Sequence, residues 1–163
     1  MGKAKSGIML EWMRWLPLSL LVVVLDQAAK WQIVELISAK GEIEIASFFN
    51  LVLLYNEGAA FSFLNEAGGW QKPLFIFIAV AASIVIVRLL MKHKGELLFS
   101  AALSLVLGGA LGNLIDRIRI GHVVDFLDFH LSSHHFPAFN LADSAITLGA
   151  ALLILDNLRK GKS

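Results

Sequence analysis

Residues 97–117 read Leu-Leu-Phe-Ser-Ala-Ala-Leu-Ser-Leu-Val-Leu-Gly-Gly-Ala-Leu-Gly-Asn-Leu-Ile-Asp-Arg, and this stretch decides the class of the fold. It is apolar over most of its length, and about 20 such residues suffice for a helix that crosses a bilayer. Gly108 and Gly112 form a small-xxx-small pair, which allows a second helix to approach closely. The stretch therefore predicts a membrane-spanning helix that packs against another helix.

Polar residues stand at the end of this stretch and inside the first apolar segment of the chain. Asn113, Asp116 and Arg117 lie three and four positions apart, so they share one face of a helix. Asp26 and Lys30 are also four apart. Such a pair can neutralise itself and lower its own insertion cost, or it can point into a helix bundle and position a substrate. The spacing leaves both interpretations open.

The composition agrees with a membrane protein. The chain has 163 residues, of which 57% are hydrophobic and 17% charged, and its net charge is +1. This length favours a single domain, residues 1–163, and the small net charge does not suggest a nucleic-acid partner. The chain has no cysteine, which excludes disulfides, thiolate nucleophiles and thiolate metal ligands.

Four segments are predicted to span the membrane, and they run from about 15–37, 73–90, 97–115 and 141–158. Between the first two, residues 42–64 are rich in aromatic and β-branched residues with partial alternation, which indicates short strands. Asn56-Glu-Gly58 is a turn signal within them. The sequence thus predicts an all-α membrane protein with four transmembrane helices and a small outward-facing sheet in the first outer loop.

The distribution of lysine and arginine predicts the orientation of these spans. Four cations fall on one side, at Lys40, Lys72, Arg117 and Arg119. Nine fall on the other, at Lys3, Lys5, Arg14, Arg88, Lys92, Lys94, Arg159, Lys160 and Lys162. Both termini are therefore predicted to be cytoplasmic, and residues 38–72 and 116–140 to face outward.

Two aspartates in apolar surroundings suggest the chemistry. Asp125 and Asp143 are both predicted at the outer membrane surface, where an ionised carboxylate is costly to hold. Two carboxyl groups close together can share one proton, so that one acts as general base and the other as general acid. Asp143 by itself would be interpreted as a helix-capping residue, three positions after Asn140. Only the combination points to an aspartic hydrolase within a membrane.

Other kinds of protein fit parts of the pattern. A zinc site could use His130, His134 and His135 with Asp125 or Asp128, although His-Glu-x-x-His is absent. A small proton-coupled transporter could use the intramembrane acids as a relay, and a membrane scaffold would need none of them. The aspartic interpretation requires no metal and no other cofactor.

Five motifs in order resemble those of the bacterial lipoprotein signal peptidases, also called signal peptidase II. They are Asp26-Gln-Ala-Ala-Lys30, Asn56-Glu-Gly-Ala-Ala-Phe61, Gly108-Gly-Ala-Leu-Gly-Asn-Leu-Ile-Asp-Arg117, Val123-Val-Asp-Phe126 and Phe139-Asn-Leu-Ala-Asp143. The resemblance covers nearly the whole chain. It implies an aspartic endopeptidase of the bacterial inner membrane that removes the signal peptide from diacylglyceryl-modified prolipoproteins, before the lipidated cysteine.

The resemblance also implies a set of site residues and partners. Asp125 and Asp143 match the catalytic dyad, and the Val-Val-Asp-Phe motif selects Asp125 over Asp128. Residues that match positions around the site are Asp26, Lys30, Asn56, Gly58, Asn113, Arg117 and Asn140. The family has an outward β-cradle and an active site near the periplasmic face. Its partners are lipidated prolipoproteins, membrane lipid and inhibitors of the globomycin type.

Overall fold

The computed structural model describes residues 11–58, 70–93 and 95–161, and this part of the chain is mostly helical. A 3-10 turn at Trp12–Trp15 leads into the first of four long helices. These are α1 (Leu16–Lys40), α2 (Gln71–Lys92), α3 (Leu97–Arg119) and α4 (Leu141–Lys160). The strands are β1 (Ile43–Ala46), β2 (Phe49–Asn56), β3 (Val123–Leu131) and β4 (His134–His135).

Three helices of the described residues, α2, α3 and α4, are long and apolar enough to cross a membrane. Their mean hydropathies are 2.8, 1.9 and 1.5. Helix α1 is of similar length, and it carries Asp26, Lys30 and Glu35 within its apolar sequence. Three of the four predicted spans therefore match helices with the composition of a transmembrane segment.

Helix α3 occupies the centre of the helical part, because it packs against each of the other three helices and most extensively against α4. Its glycines permit this approach. A Cβ atom at Gly108 would lie 2.7 Å from the carbonyl oxygen of Ser19 in α1, and one at Gly112 would lie 2.7 Å from Asp26 Oδ2. A larger residue at either position would push α1 away from α3. The packing role predicted for this glycine pair is therefore seen as contact with α1.

The four strands form one antiparallel sheet in the order β1-β2-β3-β4. The sequence predicted strands only within residues 42–64, whereas half of the sheet comes from residues 123–135. Strand β3 is buried on both faces over Val123–Phe126, so it lacks the alternation that marks a half-exposed strand. The sheet thus joins both segments that were predicted to face outward. Residues 59–64 of the predicted strand segment lie outside the described residues.

Two apolar clusters hold these layers together. Ile86 and Leu90 of α2 pack on Leu103 and Leu107 of α3. In the second cluster, two residues of α1 pack on the sheet, and its buried members are Ile33, Ile37 and Phe126. The second cluster fixes the sheet over one end of the helices, which is where β3 meets the start of α4.

Candidate active site

Asp125 lies on β3, opposite Leu54 of β2, and its side chain is almost fully buried. Its two carboxylate oxygens accept hydrogen bonds from two amides. Asn56 Nδ2 donates to Oδ2 at 2.8 Å, and Asn140 Nδ2 donates to Oδ1 at 2.7 Å. Asn56 is itself held by the turn that follows β2, because its Oδ1 accepts the Gly58 N–H at 2.8 Å. The carboxyl of Asp125 is thus fixed by neutral donors.

Asp143 lies in the first turn of α4, and Asn140 is the residue that caps this helix. The Asp143 N–H donates to Asn140 Oδ1 at 2.9 Å. The capping oxygen therefore comes from Asn140, which leaves the Asp143 carboxylate available for other contacts. Asn113 Nδ2 donates to Asp143 Oδ1 at 2.7 Å.

Asn140 connects the two aspartates. Its side chain is completely buried, and its amide group contacts Asp125, Asn113 and the carbonyl oxygen of Val124. Its oxygen accepts the N–H of Asp143. A single side chain therefore holds the carboxyl group of Asp125 and the backbone of Asp143. The structure brings together two residues, Asp125 and Asp143, that stand on different elements and far apart in the sequence.

Burial raises the pKa of Asp125 to about 6 from an ordinary value of 3.8. This value is the net result, to which the negative charge of Asp143 also contributes a rise, while the amides of Asn56 and Asn140 and the charge of Lys30 act in the opposite direction. Loss of hydration disfavours the charged carboxylate, and here it outweighs the hydrogen bonds. Asp125 can therefore hold or release a proton near neutral pH.

A cluster of charges from α1 and α3 lies behind Asn113. Lys30 Nζ is 2.8 Å from Asp26 Oδ2, 2.8 Å from Asp116 Oδ2 and 2.9 Å from Asn113 Oδ1. All four side chains are buried. Asp26 Oδ1 also accepts the N–H of Ala142 at 2.9 Å, so this cluster is attached to the start of α4.

The two interpretations of the Asp26–Lys30 pair, neutralisation and positioning, are both compatible with this geometry. The pair is in direct contact, and Lys30 also orients Asn113, which holds Asp143. Asp116 was absent from the predicted site, although its place on one helical face with Asn113 was visible in the sequence. Its contact with Lys30 could not be read from spacing, because the two residues stand on different helices.

Arg117 and Gly58 complete the set of predicted site residues, and both lie against Phe75 of α2. The Arg117 guanidinium carbon is 5.1 Å from the centre of the Phe75 ring, over its face. Gly58 has a φ of +106°, and a Cβ there would lie 2.8 Å from Phe75 Cζ. Glycine is required at this turn both for its backbone conformation and for space.

Asp128 has different surroundings from Asp125. Residues three apart on a strand point to opposite faces, and β3 is a strand. Asp128 lies opposite Asn50, and both of its oxygens are 2.9 Å from His135 Nδ1. The His135 ring stacks on His130 with centroids 4.8 Å apart. Among the described residues, no group of three or more His, Asp or Glu side chains is arranged to hold a metal ion.

The profile of the family described as signal peptidase (SPase) II matches residues 18–159. The chain belongs to the signal peptidase II family. The resemblance found in the five sequence motifs is thereby confirmed.

Individual relatives agree with this family assignment. The chain is 56% identical to a lipoprotein signal peptidase of Paraburkholderia phytofirmans over 146 residues, which cover 90% of this chain and 85% of the relative. It is 53% identical to a lipoprotein signal peptidase of Burkholderia cenocepacia over 160 residues, which cover 98% and 95%.

The fold is also similar to solved structures. A bacterial membrane enzyme determined by the in meso method at 2.3 Å resolution superposes with a TM-score of 0.76 at 32% identity. The match covers 91% of this chain and 89% of that one. A second such structure, at 1.9 Å resolution, has the same TM-score and identity and covers 89% and 92%. The helical part with its small sheet is thus an arrangement found in membrane enzymes.

Proposed function

We propose that this chain removes the signal peptide from diacylglyceryl-modified prolipoproteins, as an aspartic endopeptidase that cuts before the lipidated cysteine. The relatives named as lipoprotein signal peptidases support the substrate class. The observation that carries the catalytic type is the bridging of Asp125 and Asp143 by the buried amide of Asn140. Together with the hydrogen bond from Asn113 to the Asp143 carboxylate, this bridge would hold two carboxyl groups where they can act on one water molecule.

In the proposed reaction, Asp125 begins protonated and Asp143 begins ionised. The Asp143 carboxylate takes a proton from water while the water oxygen attacks the scissile carbonyl carbon. The carbonyl π electrons move to oxygen and form a tetrahedral intermediate. When this intermediate collapses, the C–N bond breaks and the Asp125 carboxyl gives its proton to the leaving nitrogen. The raised pKa of Asp125 supports its role as the acid.

The neighbouring side chains support the same roles. Lys30 donates to Asn113 Oδ1, so the Nδ2 end of that amide must face Asp143. The hydrogen bond from Asn113 thereby orients the Asp143 carboxyl group. Asn140 orients the other carboxyl group. We therefore assign Asn113 and Asn140 to positioning the dyad, and Lys30 to holding Asn113.

For the membrane setting, we propose that α1 is a fourth transmembrane helix. Its charges at Asp26 and Lys30 are buried and paired, so lipid would not meet them. Its exposed side chains are apolar over Leu20, Leu21, Val24 and Leu25, as expected of a surface that contacts acyl chains.

The sheet would then form the cradle over the periplasmic end of the helices, with both termini in the cytoplasm of a bacterial inner-membrane protein. The count of nine cations against four supports this orientation. Single cysteines can test it, because the chain has none. A cysteine at Ser47, which is exposed between β1 and β2, should react with a membrane-impermeant maleimide added from the periplasmic side. Reaction from the cytoplasmic side alone would mean that the proposed orientation is wrong.

A cleavage assay tests the proposed activity directly. The purified protein in detergent is given a prolipoprotein that carries the diacylglyceryl group, and the same precursor without it. We expect cleavage of the lipidated precursor that persists in EDTA and is blocked by globomycin. Equal cleavage of both precursors would remove the lipid requirement. Loss of activity in EDTA, restored by zinc, would favour the histidine-based site instead.

The alternative to a peptidase is a small proton-coupled transporter. Its signature would be ion or solute flux without peptide cleavage. The named relatives are peptidases, which gives the transporter no support.

A further inference from the structure

A cavity of about 520 Å³ lies on the face of the sheet opposite to Asp125. Tyr55 and Val124 are cross-strand partners, so their side chains point to the same face, and both line this cavity. Asp125 follows Val124 on β3 and points to the other face. The remaining walls come from α1, the end of α3 and the residues just after it. The cavity is therefore distinct from the space beside the proposed dyad.

The inner wall of the cavity is polar, but its groups are already bonded to one another. An ammonium group has three donors, and Lys30 directs them to Asp26, Asp116 and Asn113. Gln27 Nε2 donates to Asp116 Oδ1 at 2.8 Å. Lys30 therefore has no donor left for a ligand on this wall.

The open edge of the cavity is positively charged. Arg119, the last residue of α3, lines it together with His122. The His122 ring packs edge-on against Tyr55 with centroids 4.4 Å apart, which fixes both side chains. The Lys72 ammonium lies nearby, since a Cβ at Gly121 would be 3.4 Å from its Nζ. An anion with several oxygen acceptors, such as a phosphate, matches these donors.

Part of the cavity wall is apolar, and the cavity lies beside the end of a helix that is long and apolar enough to cross a membrane. Arg119 ends a helix with the composition of a transmembrane span. Trp31 and Tyr55 line the cavity and are 64% and 52% exposed, and these two residue types concentrate where a bilayer meets water. Val34 adds apolar surface on the next turn of α1. A ligand here would have its charged group at the edge and its hydrocarbon along α1.

We propose that this cavity binds a membrane phospholipid. Its phosphate would contact Arg119 and His122, and one acyl chain would lie against Trp31 and Val34. The volume is within the range of small-molecule sites and is sufficient for a glycerophosphate head group. This site goes beyond the peptidase activity and does not depend on it, because none of these four side chains belongs to the proposed dyad or to the residues that position it.

Native mass spectrometry of the full chain in detergent, titrated with palmitoyl-oleoyl phosphatidylglycerol, tests the proposal. We expect one saturable lipid per chain. Arg119→Gln should weaken binding about tenfold, as for the loss of one charge-assisted contact. Val34→Phe, which fills the cavity without changing charge, should weaken it similarly. Arg88→Gln is the matched control, because Arg88 carries the same charge and is exposed near the C-terminal end of α2.

Three outcomes would overturn the proposal. The first is unchanged lipid binding in Arg119→Gln. Because Arg119 is exposed, this variant should fold even if Val34→Phe does not. The second is equal weakening in Arg88→Gln, which would mean that lipid binds by general surface charge. The third is displacement of the lipid by equimolar inorganic phosphate, which would identify a free-anion site. The cleavage assay, run on the same variants, reports the peptidase activity separately.

Discussion

Asp125 and Asp116 are both buried carboxylates at the same end of the helices, but their neighbours differ in charge. Asp116 contacts the ammonium of Lys30, whereas Asp125 is held by the neutral amides of Asn56 and Asn140. Burial therefore raises the pKa of Asp125 to about 6. A buried acid with a cationic partner stabilises an arrangement of helices, and one without such a partner is suited to exchange a proton. The contrast separates a structural cluster from a candidate catalytic one.

The largest effect is expected from substitutions in the proposed dyad. Asp125→Asn and Asp143→Asn should each lower cleavage of a lipidated prolipoprotein by about 10³-fold or more, because one carboxyl cannot act as both base and acid. The amide is nearly the same size, so both variants should insert and purify. Turnover close to wild type in either variant would rule out the dyad.

Removal of the cation should lower the free energy of unfolding, in addition to freeing Asn113. Lys30→Met would leave Asp26 and Asp116 buried without a counter-charge, at a cost of about 3–5 kcal/mol in the free energy of unfolding. Thermal unfolding in detergent measures the change. The matched control is the double variant Lys30→Met with Asp116→Asn, which removes one of the stranded charges and should recover part of the loss. A single variant as stable as wild type would mean that the cluster is not structural.

The raised pKa of Asp125 predicts a dependence of stability on pH. An acid with a folded-state pKa near 6 and an unfolded value of 3.8 stabilises the fold below pH 3.8, and this contribution is lost as the pH rises through 6. Asp125→Asn lacks the ionisation. Its stability relative to wild type should therefore increase between pH 4 and pH 7, by about 3 kcal/mol at most. A difference that stays constant over this range would contradict the raised pKa.

The smallest effect on turnover is expected at the neighbouring acid of the same strand. Asp128→Asn should retain most of the cleavage activity, since Asp128 contacts His135 on the opposite face of β3. Comparison with Asp125→Asn in the same assay gives the sharpest test, because the two substitutions are chemically identical. Equal losses would mean that the site is wider than a dyad, and loss at Asp128 alone would mean that the wrong acid is assigned.

Hydropathy and motif order in the sequence were sufficient to predict the helical fold class, the family and the candidate acids. The strand that carries Asp125 was not predicted. Residues 123–126 are buried on both faces, so they lack the alternation of apolar and polar residues that marks a half-exposed strand. The sheet was therefore assigned to the first outer segment alone, although β3 of the second segment pairs with β2.

The local sequence by itself determined what depends on composition and short spacing. The apolar helices follow from the cost of burying polar groups in lipid, and the contact of Asp26 with Lys30 follows from helical periodicity. The partnership of Lys30 with Asp116, the bridge through Asn140 and the cavity behind the sheet were decided only by the tertiary structure. Each depends on which elements meet. The electrostatics follow in turn, because a carboxylate loses its hydration only once the surrounding helices and strands have packed around it.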